Sequence, residues 1–327
     1  DGNGQTKVAH RCLILDPAVG TGTFLFEVID EIHRRFQRQK GMWSGYVREH
    51  LLPRLFGFEL MMAPYAVAHM KLGLQLGETG YDFESHERLG IYLTNTLEEA
   101  SEVSQNVFAQ WLSDEAREAN NVKKNLPIMV VLGNPPYSGV SANQGRWINA
   151  LVDSYREADG GRLGEKKVWL KNDYVKFMRF AQWRIERTGA GILAFITDHS
   201  YLDSPTFRGM RERLLGSFDE IYILNLHGNK KRRETAPDGG EDQNVFDITQ
   251  GVAIGIFVKN GTHRQAEVRY ADLWGKRDVK YKFLTRENVE RTSWKRIHPK
   301  SPFHLFVPAD GSMEAQYREG WKITDIC

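Results

Sequence analysis

The sequence is poor in cysteine, nearly balanced in charge and free of long apolar runs, and each feature excludes a class of protein. Its 327 residues contain two cysteines, Cys12 and Cys327, which form neither a disulfide framework nor a metal set, as in a reducing cytosol. The 44 Lys and Arg against 42 Asp and Glu leave a net charge of +2, so any surface for nucleic acid must be local. No run reaches the length of a membrane span and no signal peptide opens the chain, so we expect a cytoplasmic protein without a membrane partner.

The ten histidines are scattered along the sequence, and we predict no metal site from them. The chain does contain enough apolar material for a large core, since 41% of its residues are hydrophobic. This predicts one large or two modest domains. The chain opens without a methionine, a few residues before its first motif, so we expect it to be a fragment of a longer protein.

The stretch DPAVGTGTF at residues 16–24 joins a predicted strand to a predicted helix. The apolar run at 12–15 indicates a buried parallel strand, and the pattern that follows the stretch indicates an amphipathic helix. Gly20 and Gly22 lack a Cβ and let the backbone turn sharply against a ligand, at which the helix aims its free N–H groups. Asp16 then lies at the carboxyl end of the strand, where open α/β sheets bind ligands.

The residues of this turn narrow the kind of ligand. Leu25 stands where a dinucleotide fingerprint needs its third glycine, and the lysine that a P-loop needs at the helix start is missing. Asp16 would also repel phosphates, so the turn suits a ligand that carries an amino group and no phosphate. A plain tight turn is the alternative for this motif taken alone.

A second motif follows the β-rich run at 128–132 and reads GNPPY at 133–137. Its prolines fix φ and remove two N–H donors, which holds the chain extended past the strand end. The amide of Asn134 and the carbonyl of Pro135 form a small acceptor set for an exocyclic amino group, and Tyr137 supplies a flat face on which a base can stack. The alternative is a proline-stiffened loop with a packing tyrosine.

Strands alternate with helices along the chain, which predicts an α/β fold, a doubly wound and mostly parallel sheet with helices on both faces. The seven predicted strands lie at 12–15, 55–60, 89–94, 128–132, 191–197, 220–226 and 251–258. Glu59 falls at the carboxyl end of the second strand, where an acidic residue binds ribose hydroxyls. A helix-start acid favoured by the helix dipole is the alternative role for it.

The two motifs together resemble the S-adenosylmethionine-dependent amino-methyltransferases of DNA. DPAVGTGTF is similar to their cofactor motif and NPPY to their catalytic motif, in the order of the gamma group of N6-adenine methyltransferases. The phrases TNTLE (94–98), LHGN (226–229), APDG (236–239) and NVFDI (244–248) resemble the methyltransferase region of single-chain type ISP restriction-modification proteins. The resemblance implies a Rossmann-like methyltransferase fold, with nuclease, helicase and target-recognition domains on the same parent polypeptide.

The resemblance implies three groups of site residues. The cofactor S-adenosylmethionine would be bound by Asp16, Ala18, Gly20, Thr21, Gly22, Thr23, Phe24, Glu59, Asn95 and Thr96. The catalytic motif comprises Asn134, Pro135, Pro136 and Tyr137. The residues that would contact the substrate are Tyr137, Tyr174, Phe177, Phe246, Lys230, Lys231, Arg232 and Arg233. The family usually has Asp where Asn95 stands, and the amide oxygen of Asn can still accept the hydrogen bond of the cofactor's adenine amino group.

Several of the substrate assignments have alternatives. Tyr174 and Phe177 share one face of a helix with Asp173 as its N-cap or first-turn acid, and such a face also fits a core. The basic run at 230–233 is either a solvated, mobile tip or a phosphate clamp, which would make binding salt-dependent. The resemblance implies that Phe246 faces a flipped base opposite the catalytic tyrosine.

The activity implied is methyl transfer to the N6 of a flipped adenine in double-stranded DNA. Acceptors at Asn134 and Pro135 would hold the amino nitrogen nearer tetrahedral geometry, so catalysis is mainly positioning and electrostatics. The alternatives are methylation of an RNA base or a protein glutamine amide, and a non-catalytic regulatory module that binds cofactor or DNA. We assign residues 1–261 to the methyltransferase catalytic domain. Residues 262–327, called the tail below, are basic and aromatic without clear helix–strand alternation, and they cover the sheet edge or lead to an absent target-recognition domain.

Overall fold

The computed structural model describes residues 12–36, 40–99, 109–137, 141–163, 168–262 and 265–308, and its centre is a nine-stranded sheet. The strands are β1 (Leu13–Asp16), β2 (Leu55–Glu59), β3 (Gly90–Leu93), β4 (Ile128–Gly133), β5 (Gly191–Asp198), β6 (Glu220–His227), β7 (Val252–Lys259), β8 (Glu267–Asp272) and β9 (Lys295–Ile297). Their order across the sheet is β9-β8-β6-β7-β5-β4-β1-β2-β3. Strands β1 to β5 run parallel, whereas β7 is antiparallel to both β5 and β6.

Helices connect most of the strands. The longer ones are α1 (Thr23–Phe36), α2 (Met62–Glu78), α3 (Ala109–Lys124), α4 (Arg146–Asp153), α5 (Asp173–Thr188), α6 (Arg208–Ser217) and α7 (Arg277–Arg286). Short helical turns fill residues 40–54 between α1 and β2. Within the described ranges, no helix has the length and apolar character needed to cross a lipid bilayer.

Each face of the sheet has its own apolar core, because alternate residues of a strand point to opposite faces. On one face, Ile14 of β1 packs with Leu25 of α1 and Leu72 of α2. On the other face, Leu15 of β1 packs in a larger core that includes Phe180 of α5. Strand β1 is buried along its whole length, as is typical of a parallel strand covered on both sides. The predicted doubly wound α/β fold is thereby confirmed.

Strands β1 and β4 are neighbours, but the chain leaves them in opposite directions across the sheet. From β1 it passes by α1 to β2, and from β4 it passes by α4 and α5 to β5. Parallel neighbours with diverging connections leave a crevice outside their carboxyl ends, which is where sheets of this kind bind ligands. Asp16 ends β1 and Gly133 ends β4, so the topology brings the two sequence motifs together.

The described part of the tail takes part in the sheet, which corrects the predicted number of strands. β8 pairs in parallel with β6, with Val268 beside Ile221, and β9 pairs with β8 in the antiparallel sense. The sheet therefore has nine strands rather than seven, and it continues past the predicted boundary between residues 261 and 262. The pattern was missed because β8 has six residues with charges among the apolar ones and β9 has three, too few for a clear period. Residues 309–327 lie outside the described part of the chain.

Candidate active site

The glycine turn is held between β1 and β2 by its backbone. Gly20 and Gly22 have φ angles of +54° and +81°, in the left-handed region that favours glycine. The N–H of Val19 donates to the carbonyl oxygen of Phe58 at 2.9 Å. A Cβ on Gly22 would come within 3.4 Å of Ala68, so this glycine also lets α1 pack closely against α2. The turn leads directly into α1, whose first N–H groups have no acceptor within the helix.

Glu59 closes the turn from the end of β2. Its Oε2 accepts a hydrogen bond from the N–H of Gly20 at 2.9 Å. Its Oε1 accepts from the N–H of Leu60 at 2.9 Å and from that of Met61 at 2.8 Å. The two bonds to Oε1 satisfy N–H donors just before α2, which is the helix-start role considered for Glu59 from the sequence. The bond to Gly20 also makes the carboxylate part of the glycine turn.

Asp16 is a buried acid with an unused acceptor. Its side chain is 1% exposed; Oδ1 accepts from the N–H of Ala18 at 3.0 Å, while Oδ2 is buried without a hydrogen-bond partner. The pKa of Asp16 is raised to about 7, mainly by burial; the Ala18 hydrogen bond lowers it, and the charge of Glu59 contributes a smaller rise. An unpaired carboxylate oxygen in this position fits a cationic donor such as an ammonium group.

Gly133 brings the second motif against the first. Its φ is +150°, and a Cβ built on it would lie 2.6 Å from Oδ1 of Asp16. No side chain fits in that space without displacing the acid. The residue therefore sets the contact between β1 and β4, a role that the sequence did not assign. The sequence feature that could have indicated this role is the position of Gly133 as the last residue of a strand, directly before Asn134.

The NPPY motif leaves β4 with Asn134 exposed, Pro135 buried and Tyr137 half-buried. The hydroxyl of Tyr137 donates to Oδ1 of Asn134 at 2.5 Å and also lies 3.1 Å from the carbonyl oxygen of Ile196. Burial raises the pKa of Tyr137, and the charge of Asp198 adds to the effect. The phenol thus stays protonated and orients the amide of Asn134. Pro136 is exposed on the same loop, whose next residues, 138–140, are outside the described ranges.

The segment after β3 supports the turn through hydrogen bonds. Thr96 is 3% exposed and donates from Oγ1 to the carbonyl oxygen of Pro17 at 2.5 Å, so it positions the turn rather than presenting its side chain to a ligand. Asn95 donates from Nδ2 to Oδ1 of Asn143 at 2.9 Å and accepts at Oδ1 from the N–H of Leu97 at 3.0 Å. Asn143, which the sequence did not indicate, in turn donates to Asp173 at 3.0 Å. These bonds connect the end of β3 to the start of α5.

The four residues at 230–233, here called the basic turn, are exposed and lie in the loop between β6 and β7. Their backbone is held, since the N–H groups of Lys231 and Arg232 both donate to Oδ1 of Asn229 at 3.1 Å. Arg232 also forms a two-pronged ion pair with Asp203, at 2.6 and 3.2 Å. Arg232 thus connects the basic turn to the segment after β5, and the solvated tip and the phosphate clamp both stay predictions.

Phe246 lies in the same loop and reaches the region of Tyr137. Both Phe246 and Tyr137 pack, half-buried, against one small apolar cluster that includes Leu226 and Val245. The N–H of Phe246 donates to Oδ1 of Asn244 at 2.8 Å. The two rings therefore share a neighbourhood beyond the carboxyl ends of β4 and β6.

No protein-family model and no curated protein matches this sequence, but solved structures do. A nuclease-deletion mutant of the type ISP restriction-modification enzyme LlaGI, in complex with a DNA substrate mimic, matches with a TM-score of 0.76 and 23% identity over 92% of this chain and 25% of that one. The ATP-dependent type ISP restriction-modification enzyme LlaBIII, bound to DNA, matches with a TM-score of 0.76 and 25% identity over 95% of this chain and 21% of that one. The chain is similar to one segment of the type ISP restriction-modification enzymes.

A DrdV–DNA complex is similar as well, with a TM-score of 0.73 and 27% identity over 91% of this chain and 28% of that one. The chain thus spans about a quarter of the length of these proteins. The resemblance to type ISP proteins inferred from the motifs, and the Rossmann-like fold that it implied, are confirmed by these matches.

Not every residue that the type ISP resemblance implied is brought to the crevice. Thr21, Thr23 and Phe24 are exposed around the start of α1, and Ala18 is partly exposed in the turn. Tyr174 and Phe177 are instead 1% and 7% exposed inside the larger core. For these two the core alternative is the one observed, because the face of α5 that carries them packs against the sheet.

The start of α5 matches one of the two roles predicted for Asp173, that of an acid in the first turn. Asn172 is the N-cap and its side chain accepts from the N–H of Tyr174, so Asp173 is the first helical residue.

A buried ion pair that the sequence did not reveal holds the β6–β7 loop. Nζ of Lys280 lies 2.7 Å from Oδ1 of Asp242, with both side chains 0% exposed. Asp242 accepts from the N–H of Gly228 at 2.6 Å, so α7 in the tail is tied to the loop that carries Phe246 and the basic turn.

Proposed function

We propose that this chain is the methyltransferase region of a restriction-modification protein and transfers the methyl group of S-adenosylmethionine to N6 of adenine in double-stranded DNA. The observation that carries the proposal is the contact of the two motifs, with Asp16 against Gly133 at the crevice between β1 and β4. The similar structures named above are restriction-modification enzymes solved with DNA, which supports a DNA substrate.

The residues around the glycine turn fit the cofactor. The buried, unpaired oxygen of Asp16 matches the amino group of the methionine part. Glu59 stands at the end of β2, where an acid can bind ribose hydroxyls. The turn contains no lysine that could bind a phosphate, and the cofactor carries no phosphate. Ala18, Gly20, Thr21, Gly22, Thr23, Phe24, Asn95 and Thr96 complete the proposed binding set, with Thr96 acting through the backbone of Pro17.

Once bound, the cofactor supplies an electrophilic methyl group on its sulfonium. The chain's own part is to hold the target. A base must leave the duplex to reach the crevice, where its amino group would donate to Oδ1 of Asn134 and to the carbonyl oxygen of Pro135. These acceptors favour a tetrahedral nitrogen with a free lone pair, and the hydroxyl of Tyr137 fixes the amide that provides one of them. The nitrogen loses its proton after the transfer, so no strong base is required.

The rings of Tyr137 and Phe246 would stack on the two faces of the flipped base, as aromatic side chains do with unpaired bases. Lys230, Lys231, Arg232 and Arg233 would contact the DNA backbone, which would make affinity fall with rising salt. Because Arg232 is paired with Asp203, we assign the larger share of the phosphate contacts to the other three. Tyr174 and Phe177 would support this surface from the core rather than touch the base.

The test is nucleoside mass analysis of DNA from cells that express the full-length parent protein, beside its Asn134→Ala variant. We expect N6-methyladenine with the parent and none with the variant, while S-adenosylmethionine binding by the variant is retained. Asn125→Ala, which removes an exposed amide beyond the end of α3, is the matched control and should methylate normally.

The outcomes separate the alternatives. No modified base in DNA, together with methylated RNA or protein glutamine, would assign the same chemistry to another substrate. Cofactor binding without any methylated product would indicate a regulatory module. Loss of cofactor binding in Asn134→Ala would contradict the role given to this residue.

A further inference from the structure

A group of metal-ligand side chains lies beyond the ends of β5 and β6, apart from the proposed methyl-transfer residues. His199 follows β5, His227 ends β6 and Glu234 lies just after the basic turn. One ligand atom from each of the three lies within 4.8 Å of the other two. The two imidazoles are 4% and 5% exposed. Sequence analysis predicted no metal site, because these residues come from separate parts of the chain.

Each imidazole is oriented by an oxygen acceptor on its outer nitrogen. Nδ1 of His199 lies 3.1 Å from Oδ1 of Asn225, and Nε2 of His227 lies 2.7 Å from Oδ1 of Asp272. This leaves Nε2 of His199 and Nδ1 of His227 for the centre of the group. Metal-binding histidines are held in this way, by a carboxylate or carbonyl oxygen on the nitrogen that does not bind the metal.

One of the inner nitrogens lacks a hydrogen bond. Nδ1 of His227 is buried without a hydrogen-bond partner and lies 3.8 Å from Oε2 of Glu234, a distance too long for such a bond. A divalent cation between them would satisfy the nitrogen and would use a second lone pair of Oε2, which already accepts from the N–H of Asn229 at 3.0 Å. The other inner nitrogen, Nε2 of His199, accepts from Nδ2 of Asn229 at 3.1 Å. Metal binding would replace this single neutral hydrogen bond.

The rings are also fixed by packing. Trp274 stacks on His227 with ring centroids 3.3 Å apart and an interplanar angle of 15°. Gly251 packs against His199 so closely that a Cβ on it would lie 2.4 Å from Cε1. Rigid ligands lose little freedom on binding, so the site is organised before any metal arrives.

We propose that His199, His227 and Glu234 bind a divalent transition-metal cation of the zinc class, with water as the fourth ligand. Two imidazoles and one carboxylate form a ligand set that zinc uses in proteins. The two carboxylates of Glu234 and Asp272 supply the negative charge that the cation neutralises. The metal would tie Glu234 to the ends of β5 and β6. It would thereby hold the basic turn, because Glu234 accepts from the N–H of Asn229 at 3.0 Å and Asn229 caps that turn.

The experiment is a titration of tag-free, chelator-treated protein with Co²⁺, followed by the visible absorption of the bound ion and by competition with Zn²⁺. We expect one saturable site per chain that His199→Ala and His227→Ala abolish. Asp272→Asn should weaken the affinity about 10- to 100-fold, as loss of a carboxylate behind a histidine ligand does. Glu234→Gln should also weaken binding and is the variant to use if an alanine variant fails to fold in urea-unfolding controls.

Two histidine variants serve as controls. His298→Ala changes an exposed histidine away from the group, and His304→Ala breaks a more exposed cluster with Asp159 and Glu212; both should bind Co²⁺ like the parent chain. Absence of a saturable signal, or a signal that His304→Ala removes and His227→Ala retains, overturns the proposal. Only the effect on the basic turn rests on the proposed function. It is read separately, as Zn²⁺-dependent DNA affinity, so that failure of DNA binding leaves the cobalt result interpretable.

Discussion

Asp16 is a buried acid whose charged form is disfavoured in the free protein. Its carboxyl is buried with one oxygen unpaired, and burial raises its pKa to about 7. A pKa in the folded state above the unfolded value of 3.8 means that the protonated form is the stabilising one. That contribution is complete below about pH 4 and is lost as the pH rises to about 7.

The first prediction concerns Asp16→Asn in the cofactor-free protein. Between pH 4 and pH 8 the free energy of unfolding of the parent chain should fall relative to that of the variant by about 4 kcal/mol, since three pKa units correspond to that amount. The variant should bind S-adenosylmethionine weakly at every pH, whereas the parent should lose affinity below about pH 7. Urea unfolding and calorimetry measure the two effects. If the free energy of unfolding of both proteins changed with pH in the same way, the raised pKa assigned to Asp16 would be contradicted.

The second prediction concerns Tyr137→Phe, which removes the hydroxyl but keeps the ring. The lost hydrogen bond to Asn134 should lower kcat about tenfold, the equivalent of roughly 1.4 kcal/mol, and leave cofactor affinity unchanged. Single-turnover methylation and calorimetry provide the two readings. Tyr222→Phe, whose hydroxyl binds Glu220 at the far end of β6, is the control. A larger effect on cofactor binding than on rate would show that the hydroxyl does not act through Asn134.

At the scale of elements, the sequence predicted most of the fold because the inner strands are continuous apolar runs next to glycine or proline turns. The seven predicted strands are present, and the order of motifs along the chain placed Asp16 and Asn134 correctly at strand ends. What could not be predicted are contacts between distant residues, since spacing along the chain does not encode them. The approach of Gly133 to Asp16 and the Lys280–Asp242 pair are both of this kind.

The site was less predictable than the sheet. The sequence pattern of the helical face that carries Tyr174 is the same for a face that packs in a core and for one that lines a pocket. In the structure, Tyr174 lies in the larger core. The resemblance implied that Thr96 binds the cofactor, and the sequence did not indicate that its hydroxyl donates to the carbonyl oxygen of Pro17. Two scattered histidines, His199 and His227, meet only because β5 and β6 end on the same side of the sheet.

The third prediction tests the join between β1 and β4. Gly133→Ala would place a Cβ 2.6 Å from Oδ1 of Asp16, so we expect it to destabilise the fold by about 1–3 kcal/mol through overpacking and to abolish cofactor binding. Gly189→Ala is a matched control, because its φ of +89° brings backbone strain but no atom lies within 4 Å of the new Cβ. Urea unfolding and calorimetry compare the two. Equal losses of stability and of cofactor binding in both variants would show that backbone strain alone explains the effect of Gly133→Ala.

At the scale of the whole molecule, residues 265–308 of the tail pack against the elements that carry the candidate site. β8 adds Val268 and Tyr270 to the larger core, at 0% and 4% exposed. α7 supplies Lys280, whose ammonium also donates to the carbonyl oxygens of Leu226 and Gln243 at 2.7 Å each. The loop with the basic turn and Phe246 is therefore held by residues that follow the predicted boundary at 261.

The last prediction follows from this dependence. A chain that ends at residue 261 loses β8, one of the two strands that pair with β6, together with the Lys280–Asp242 ion pair. It also loses the apolar contacts of Val268 and Tyr270 in the larger core. Burial of one such side chain contributes about 1.5–3 kcal/mol, against the roughly 5–15 kcal/mol by which domains are stable. We expect this chain to lack a cooperative unfolding transition in urea, whereas a chain that ends at residue 308 retains β8, β9 and α7 and should unfold cooperatively. A cooperative transition at an unchanged midpoint in the shorter chain would instead show that the tail is an independent module resting on the sheet.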